Sequence, residues 1–239
     1  QQMLPDHAGG AFEAVTKGPR LVNRMFLDPR APGEPGDWRV WTEQVGWATS
    51  KSIGATSDYD LGGWGATFGL EAGLGEAGGV GVTLAYLSGR DTHGDNELIA
   101  NQYEAGLYWR GKWGGLNTYA RATAAMINFD STRRFSGTAD GVVVARETEG
   151  DWKGHLYSAS VGASYDWQMG RFSVRPSVSL DHFKLSEKSY DEKGGGDAFD
   201  LHVDNRDSDE TSVNGALALG YDLFGQREDK SWMRAELEG

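Results

Sequence analysis

The sequence predicts an all-β fold, namely an antiparallel up-and-down β-barrel that spans a membrane. Three observations predict it: segments of alternating apolar and polar residues, connections that are alternately short and long, and aromatic residues beside the short connections. Successive strand side chains point to opposite faces, so a barrel strand can show an apolar row to lipid and a polar row to a water-filled lumen. With 239 residues, the chain is long enough for one such domain.

Composition limits the classes of function. The chain has a net charge of −12 and no cysteine, which argues against a nucleic-acid surface and excludes disulfide scaffolds and cysteine-based metal sites. Mean hydropathy is −0.53, and no run of about 18 apolar residues predicts a transmembrane helix, although spanning strands escape this criterion. The start, Gln1-Gln2-Met3-Leu4, has no signal-peptide pattern, so we expect an internal or processed piece of a longer protein.

The first predicted element is a helix over Ala8–Phe26. Its apolar residues lie roughly along one side, and Lys17, Arg20 and Arg24 make the other side basic. About 18 helical residues would span roughly 27 Å. Gly18-Pro19 is expected to kink or split the helix, because proline lacks the backbone N–H that a helix uses.

The clearest strand pattern is a hairpin over Gly154–Lys184. Apolar and aromatic residues occupy the odd positions as far as Trp167 and the even positions from Phe172 onward. A two-residue loop at Met169-Gly170 would place Trp167 opposite Phe172 and match the later pairs in character, as a fixed register requires. The apolar row is aromatic beside the turn and aliphatic in the middle, which favours a sheet in a bilayer over a soluble sandwich.

The remaining strands repeat this alternation, and about nine strands are predicted in all. Their ranges are Trp38–Thr49, Leu61–Leu74, Val80–Tyr86, Tyr103–Trp109, Leu116–Phe129, Val213–Leu223 and a last strand that starts at Trp232. The polar rows carry charged residues that we expect to face the lumen: Glu71, Glu104, Arg121, Arg175 and Asp181.

The connections alternate in length. Short ones are predicted near residues 75–79, 111–115, 169–170 and 225–230, and long polar ones near 50–60, 88–101, 130–153 and 186–210. Beside the short turns lie aromatic residues that we interpret as a membrane girdle: Trp109, Trp113, Trp167, Phe172, Tyr221 and Trp232. Short turns on one side and long loops on the other are typical of outer-membrane barrels.

Several short motifs, in their order and spacing, resemble one known family. They are Leu4-Pro5-Asp6-His7-Ala8-Gly9-Gly10 running to Arg24-Met25-Phe26, then Val40-Trp41, Tyr59-Asp60 with Gly63-Trp64-Gly65, Gly81–Tyr86, and Arg175-Pro176 followed by Val178–Leu180. Together they cover essentially the whole chain and resemble the autotransporter β-domain, the C-terminal translocator of type V secretion proteins. These are loose patterns rather than a catalytic signature.

The resemblance implies a barrel of about 12 strands with the helix in its pore. The basic residues of the helix would then face acids of the lumen, namely Glu71, Glu104 and Asp181. It also implies a monomer in the bacterial outer membrane, with outer-membrane lipid, its own N-terminal passenger and, during insertion, the barrel-assembly machinery as partners. The expected role is an anchor and pore through which, or with which, the passenger reaches the cell surface.

These expectations divide the chain into residues 1–27, a linker with the pore-spanning helix, residues 28–37, a short loop, and residues 38–239, the barrel domain. Family members end in a final strand with a terminal aromatic residue, whereas this chain ends at Glu238-Gly239 after about nine strands. An unclosed barrel would leave two strand edges in lipid. We therefore expect either a C-terminally incomplete piece or an assembly intermediate held on a barrel-insertion machine.

Other motifs favour structural interpretations. Gly73–Gly78 matches the dinucleotide fingerprint, but a strand rather than a helix follows it, which predicts a hairpin turn. His155 and His182 are expected near each other without a third metal ligand, and no catalytic triad is recognisable. Some members of the resembled family cut their own passenger with acidic lumen residues, but pairing with arginines is the preferred role for such acids here.

We therefore expect no cofactor, no metal and no enzymatic activity. The alternative function is a barrel that acts through its long acidic loops as an adhesin or receptor. Deletion of residues 130–153 would abolish that function and leave passenger export intact.

Overall fold

The structure is a computed structural model that describes residues 8–28, 33–51, 59–93, 96–139, 142–196, 198–224 and 233–238. These ranges contain an α-helix, α1 (Ala8–Met25), and a large antiparallel sheet. No helix within them is long and apolar enough to cross a bilayer.

The sheet consists of strands that pair mostly with their neighbours in the chain. In chain order they are β1 (Trp38–Lys51), β2 (Tyr59–Gly73), β3 (Gly79–His93), β4 (Asn96–Trp113), β5 (Leu116–Ala139), β6 (Val142–Tyr165), β7 (Trp167–Met169), β8 (Phe172–Glu187), β9 (Tyr190–Asp191), β10 (His202–Val203), β11 (Arg206–Phe224) and β12 (Met233–Glu238). The spatial order is β1-β2-β3-β4-β5-β6-β8-β11-β12, with β7 beside β8, and β9 and β10 form a separate pair. The predicted antiparallel up-and-down fold is confirmed, as a curled half-barrel in the part of the chain described.

The sheet has two distinct ends. The turn end carries the tight turns at residues 74–78, 114–115 and 170–171, and the hairpin end is the opposite end. The dinucleotide-like sequence Gly73–Gly78 forms one of these tight turns, with a short 3₁₀ helix (Gly75–Ala77) followed directly by β3. It therefore provides no α-helix N-terminus for a phosphate.

The apolar rows of the strands form the outer surface of the sheet. Trp64, Phe68, Val161 and Val178 are between 47% and 59% exposed, while the polar residues that alternate with them are mostly buried on the concave side. This is the arrangement that period-two alternation predicts when one face meets lipid.

The hairpin of β6, β7 and β8 has a different register from the predicted one. Its turn is Gly170-Arg171, so Met169 pairs with Phe172 and Trp167 with Val174. Gly170 has φ = 64°, a left-handed conformation that glycine adopts without strain. Each partner is displaced by two residues, which conserves the parity, so every side chain stays on its predicted face.

Two predicted long loops are strands instead. β5 and β6 pair continuously from Leu116–Tyr165 to Ala139–Val142, across the whole predicted loop at 130–153. Likewise, β3 and β4 extend through most of the predicted loop at 88–101. The alternation is not visible in these segments because polar residues occupy both faces, for example the buried Arg133 and the exposed Asp151.

Helix α1 is continuous from Ala8 to Met25 with Pro19 inside it, so the predicted split does not occur. Proline removes one backbone hydrogen bond, and tertiary contacts hold the helix. A Cβ atom at Gly18 would lie 2.9 Å from the Trp47 ring, and one at Gly89 would collide with the Ala14 carbonyl. These two glycines therefore allow the helix to lie against β1 and β3.

Candidate functional site

The candidate site is the concave lumen of the sheet, which α1 crosses from end to end. At the helix N-terminal end, Ala11 and Phe12 pack in a buried cluster with Leu98 and Leu185 at the hairpin end. At the other end, the Leu27 carbonyl accepts a hydrogen bond from Ser164 at the turn end. The N-terminal end of the helix therefore points towards the hairpin end.

A polar tier of the lumen, centred on Arg121, holds the C-terminal half of the helix. Arg121 donates a hydrogen bond of 2.5 Å to Glu104 and one of 2.8 Å to the Asn23 side-chain oxygen. The side chains of the ion pair between Arg121 and Glu104 are both inaccessible to solvent. The Asn23 amide in turn donates to Asp181 over 3.1 Å. Asp181 also accepts a bond from Ser160. A side chain of the helix is thus hydrogen-bonded to both β5 and β8.

A second buried ion pair lies in the polar tier nearer the turn end. Arg110 donates two hydrogen bonds of 2.5 and 2.7 Å to Glu71, and Tyr108 donates a third over 3.0 Å. Phe26 of the segment after α1 packs on Tyr108, with ring centroids 4.7 Å apart. Arg175 pairs with Asp28, which ties the end of the helical segment to β8.

An apolar tier fills the lumen at the hairpin end. Its members are less than 2% exposed: Leu98, Ala100, Ile127, Phe129, Leu156, Phe183 and Leu185, packed against Ala11 of the helix. The water-filled lumen predicted from the sequence is therefore wrong at this height. The inner positions of the strands change there from polar to apolar residues, which offer ordered water no hydrogen-bond partners.

The connection between β8 and β11, which includes β9 and β10, forms a roof over the apolar tier. Tyr190 stacks on Trp152, with ring centroids 4.2 Å apart and an interplanar angle of 6°. Arg133 of β5 donates 2.5 Å to the buried Glu192. The predicted long loop at 186–210 is therefore partly ordered structure, and β11 begins within it.

The three basic residues of the helix lie on its other side. Lys17 pairs with Glu13 over 3.4 Å and Arg20 with Glu210 over 2.8 Å, and no ion pair joins Arg24 within the described residues. All three line a cavity of 400 Å³ between the helix and strands β1 and β11. The predicted pairing of these residues with the lumen acids Glu71, Glu104 and Asp181 is therefore wrong, because the helix presents its other face to those acids.

Sequence reasoning did not identify Asn23 as the partner of Asp181 or Arg110 as the partner of Glu71. Asn23 is 2% exposed and lies next to Val22 on the buried side of α1. A polar residue among the apolar positions of a helix was the available signal. Arg110 lies in the same row of β4 as Glu104, so its parity predicts that it faces the lumen.

The aromatic residues predicted as a girdle lie at the turn end, except Trp232, which is outside the described residues. Trp113, Trp167 and Phe172 are about half exposed. The Trp109 indole donates 2.9 Å to the Ala77 carbonyl, and Tyr221 contacts Phe172 with ring centroids 4.8 Å apart. Their polar edges and exposed rings suit a membrane interface.

A second row of aromatic residues, not predicted, crosses the outer face nearer the hairpin end. Trp64 and Tyr86 have ring centroids 5.6 Å apart, and Tyr86 and Tyr103 5.2 Å apart. Along β4, ten residues separate Tyr103 from Trp113, which is about 33 Å of strand. A strand tilted by about 40° covers roughly 25 Å in that distance, the height of the apolar band of an outer-membrane barrel.

No group of three or more metal-binding side chains occurs in the part of the chain described. His155 and His182, predicted to approach each other, pair instead with Ser186 and Ala159. His182 makes a hydrogen bond of 2.9 Å to Thr211. Within the described residues, the polar contacts between the lumen and the helical segment are hydrogen bonds and ion pairs that position the helix.

Comparison with known proteins gives the following matches. Residues 40–238 match the family model described as autotransporter beta-domain. The fold resembles the translocator domain of autotransporter NalP from Neisseria meningitidis, with a TM-score of 0.65 and 18% identity over 96% of this chain and 77% of that one. At this identity the likeness concerns the fold. A search of curated proteins returned no match.

Proposed function

Because the chain belongs to the autotransporter β-domain family, we propose that it is the outer-membrane translocator and anchor of an autotransporter. It exports or displays an N-terminal passenger at the cell surface. The observation that carries this proposal is the direction of α1, whose N-terminal end lies at the hairpin end of the lumen. A passenger joined to that end would leave the domain on the side of the long hairpins.

Orientation in the membrane follows from the two ends of the sheet. Outer-membrane barrels have short periplasmic turns and longer extracellular connections. The tight turns at 114–115 and 170–171 would then face the periplasm, and the 24-residue strands β5 and β6 would extend outside. The passenger attached to α1 would thus be extracellular.

The polar tier holds the helix of this anchor in the lumen. Asn23 is bonded to Arg121 and Asp181 on two different strands, and the ion pair between Asp28 and Arg175 lies beyond the helix end. Hydrogen bonds to charged groups each contribute about 1.5–3 kcal/mol. Several such bonds on one helix would resist withdrawal of the helix with its passenger.

Surface display of a tag tests the proposal. An epitope placed before Gln1 in the full-length protein should bind antibody on intact cells and be removed by external protease. A tag that becomes accessible only after the outer membrane is permeabilised would contradict the proposed function. Slower gel mobility after boiling would check, on the same samples, whether the barrel is folded.

The same tagged protein can be used to test whether the polar tier holds the helix in place. Asn23→Leu should increase trypsin cleavage inside α1, at Lys17 or Arg20, after the external part has been removed. Glu13→Gln is the matched control, because Glu13 lies on the accessible side of the same helix and its only partner in the described residues is Lys17. Equal cleavage in both variants would show that Asn23 does not hold the helix.

A second candidate function is favoured by the protruding hairpin of β5 and β6. The ladder between β5 and β4 ends at Thr132, and that between β6 and β8 begins at Gly154. Val143 near the hairpin tip is 75% exposed. An extended, exposed hairpin of this kind suits an adhesin or receptor surface.

Removal of the hairpin tip separates the two functions. Replacing residues 137–144 by Asn-Gly keeps Arg133 and Trp152, which support the roof, and gives β5 and β6 a suitable tight turn. Loss of cell or ligand binding with normal display of the tag would support the adhesin function. Unchanged binding would exclude the hairpin tip as the binding surface.

A further inference from the structure

An open groove lies on the outer face of β3, β4, β5 and β6, at the height of the second aromatic row. It has a volume of 670 Å³. Ala105 and Ala124, which pair across β4 and β5, form its floor. Tyr103 and Tyr157, each 54% exposed, stand beside them. The groove therefore combines a flat apolar floor with aromatic walls.

Two polar residues, one of them a lysine, border the end of this groove that is nearer the hairpin end. His155 lines the groove opposite Met126. Two residues further along β6 is the exposed Lys153, which pairs with Asn128 of β5. Neither Lys153 nor His155 has a side-chain hydrogen bond or ion pair within the described ranges. Both are therefore available to a ligand above the groove.

We propose that this groove binds one phosphorylated lipid of the membrane leaflet at the hairpin end. An acyl chain would lie over Ala105 and Ala124, and the headgroup phosphate would contact Lys153 and His155. The inference rests on the proposed function, because it takes the outer face to be in contact with lipid. It goes beyond that function by assigning a specific lipid site to one part of the surface.

Charge complementarity favours a phosphate over a neutral headgroup. The whole chain carries a net charge of −12. A lysine without a side-chain partner in the described residues therefore differs from the generally acidic character of the chain. Two exposed carboxylates, Asp130 and Asp151, face each other across β5 and β6 on the side of Lys153 away from the groove. They lie two residues from Lys153 and Asn128 along their strands, about 7 Å farther from the groove.

The shape of the groove gives a second reason. A membrane barrel places aromatic side chains at the level of the lipid headgroups, and the aromatic row here passes directly beside the groove. A chain lying on the alanine floor would extend from this level into the hydrocarbon. Headgroup and chain would thus be bound by neighbouring parts of one surface.

Native mass spectrometry of the purified protein in detergent can test the site, with bisphosphorylated lipid A as the probe. The double variant Lys153→Gln, His155→Gln should lower the apparent affinity about 10-fold, since about 1.4 kcal/mol corresponds to one decade. Lys193→Gln is the matched control, because it removes one exposed lysine from the roof, away from the groove. Equal loss in both proteins, or equal binding of dephosphorylated lipid A, would overturn the phosphate assignment.

The acyl-chain part of the proposal has its own variant. Ala124→Leu fills the groove floor and should reduce binding, whereas Ala163→Leu, on the outer face of β6 nearer the turn end, should not. The same effect from both variants would overturn the groove. Tag display should be normal in all four proteins, so failure of the lipid site and failure of the proposed translocator function give different results.

Discussion

The two tiers of the lumen hold the same helix by different physical means. In the polar tier, Arg121 donates hydrogen bonds to Glu104 and to Asn23 of the helix, and Asn23 donates in turn to Asp181. In the apolar tier, the N-terminal half of the helix packs through Ala11 and neighbouring residues against aliphatic and aromatic side chains. Hydrogen bonds and ion pairs depend on direction, whereas apolar packing is non-directional.

This difference assigns a separate task to each tier. The polar tier can fix the position of the helix along and around its axis, because Asn23 has defined partners on two strands. The apolar tier can exclude water from the lumen at the hairpin end, because its members are almost entirely buried. A plug that must both stay in place and seal would need the two together.

The largest effect is expected from breaking the ion pair of the polar tier. Arg121→Met leaves Glu104 buried without its cation, and should lower the free energy of unfolding by about 3–5 kcal/mol. The measurement is a urea titration of the protein folded in lipid vesicles, followed by its gel mobility without boiling.

Adding Glu104→Gln to Arg121→Met provides the control for that prediction. The double variant has no uncompensated buried charge, and the amide oxygen introduced at position 104 could still accept the hydrogen bond that Thr123 donates to Glu104. It should therefore be more stable than the single variant. A single variant that loses less than about 1 kcal/mol would indicate that the polar tier is hydrated.

In the apolar tier, the loss should be somewhat smaller and should depend on volume instead of charge. Leu185→Ala removes a side chain with no exposed surface and should cost about 2–5 kcal/mol. Val178→Ala, on the outer face of the same strand, is the control and should cost less, because Val178 is half exposed. Similar losses in both variants would show that the apolar tier is not closely packed.

Alternation along the strands was enough to predict the outer and inner faces, and it did so even where the register was wrong. Trp167 pairs with Val174 instead of Phe172, yet a displacement of two residues changes no face. The same alternation predicts that Glu104 and Arg121 both face the lumen, where they form an ion pair. Period-two patterns therefore predict on which face of the sheet a side chain lies, and they predict much less well which residue it pairs with on the next strand.

The apolar tier was not predictable in the same way. Leu156 and Leu185, which pair across β6 and β8, occupy inner positions where outer residues such as His155 and Lys184 are polar. The alternation is thus inverted there, because the outer row becomes polar while the inner row becomes apolar. The helix residues that contact the lumen acids were also predicted wrongly, since the face that a helix presents to a sheet depends on tertiary packing that a single sequence does not contain.

The smallest effect is expected at the roof, where one polar group lies within apolar surroundings. The Tyr190 hydroxyl is buried and has no hydrogen-bond partner among the described residues. An unsatisfied buried hydroxyl costs about 1–3 kcal/mol, so Tyr190→Phe should leave the stability unchanged or raise it slightly. Tyr157→Phe, on the exposed outer face, is the matched control.

The pH dependence of stability tests whether the Tyr190 hydroxyl is buried in the roof. Burial raises the pKa of Tyr190 to about 12, so the folded protein favours the neutral phenol. The contribution of the neutral Tyr190 phenol to the free energy of unfolding is complete below the ordinary tyrosine pKa of about 10, and it is lost as the pH rises towards 12. Tyr190→Phe should therefore lose less stability between about pH 10 and 12 than the parent protein, and identical pH profiles would contradict a buried Tyr190 in the roof.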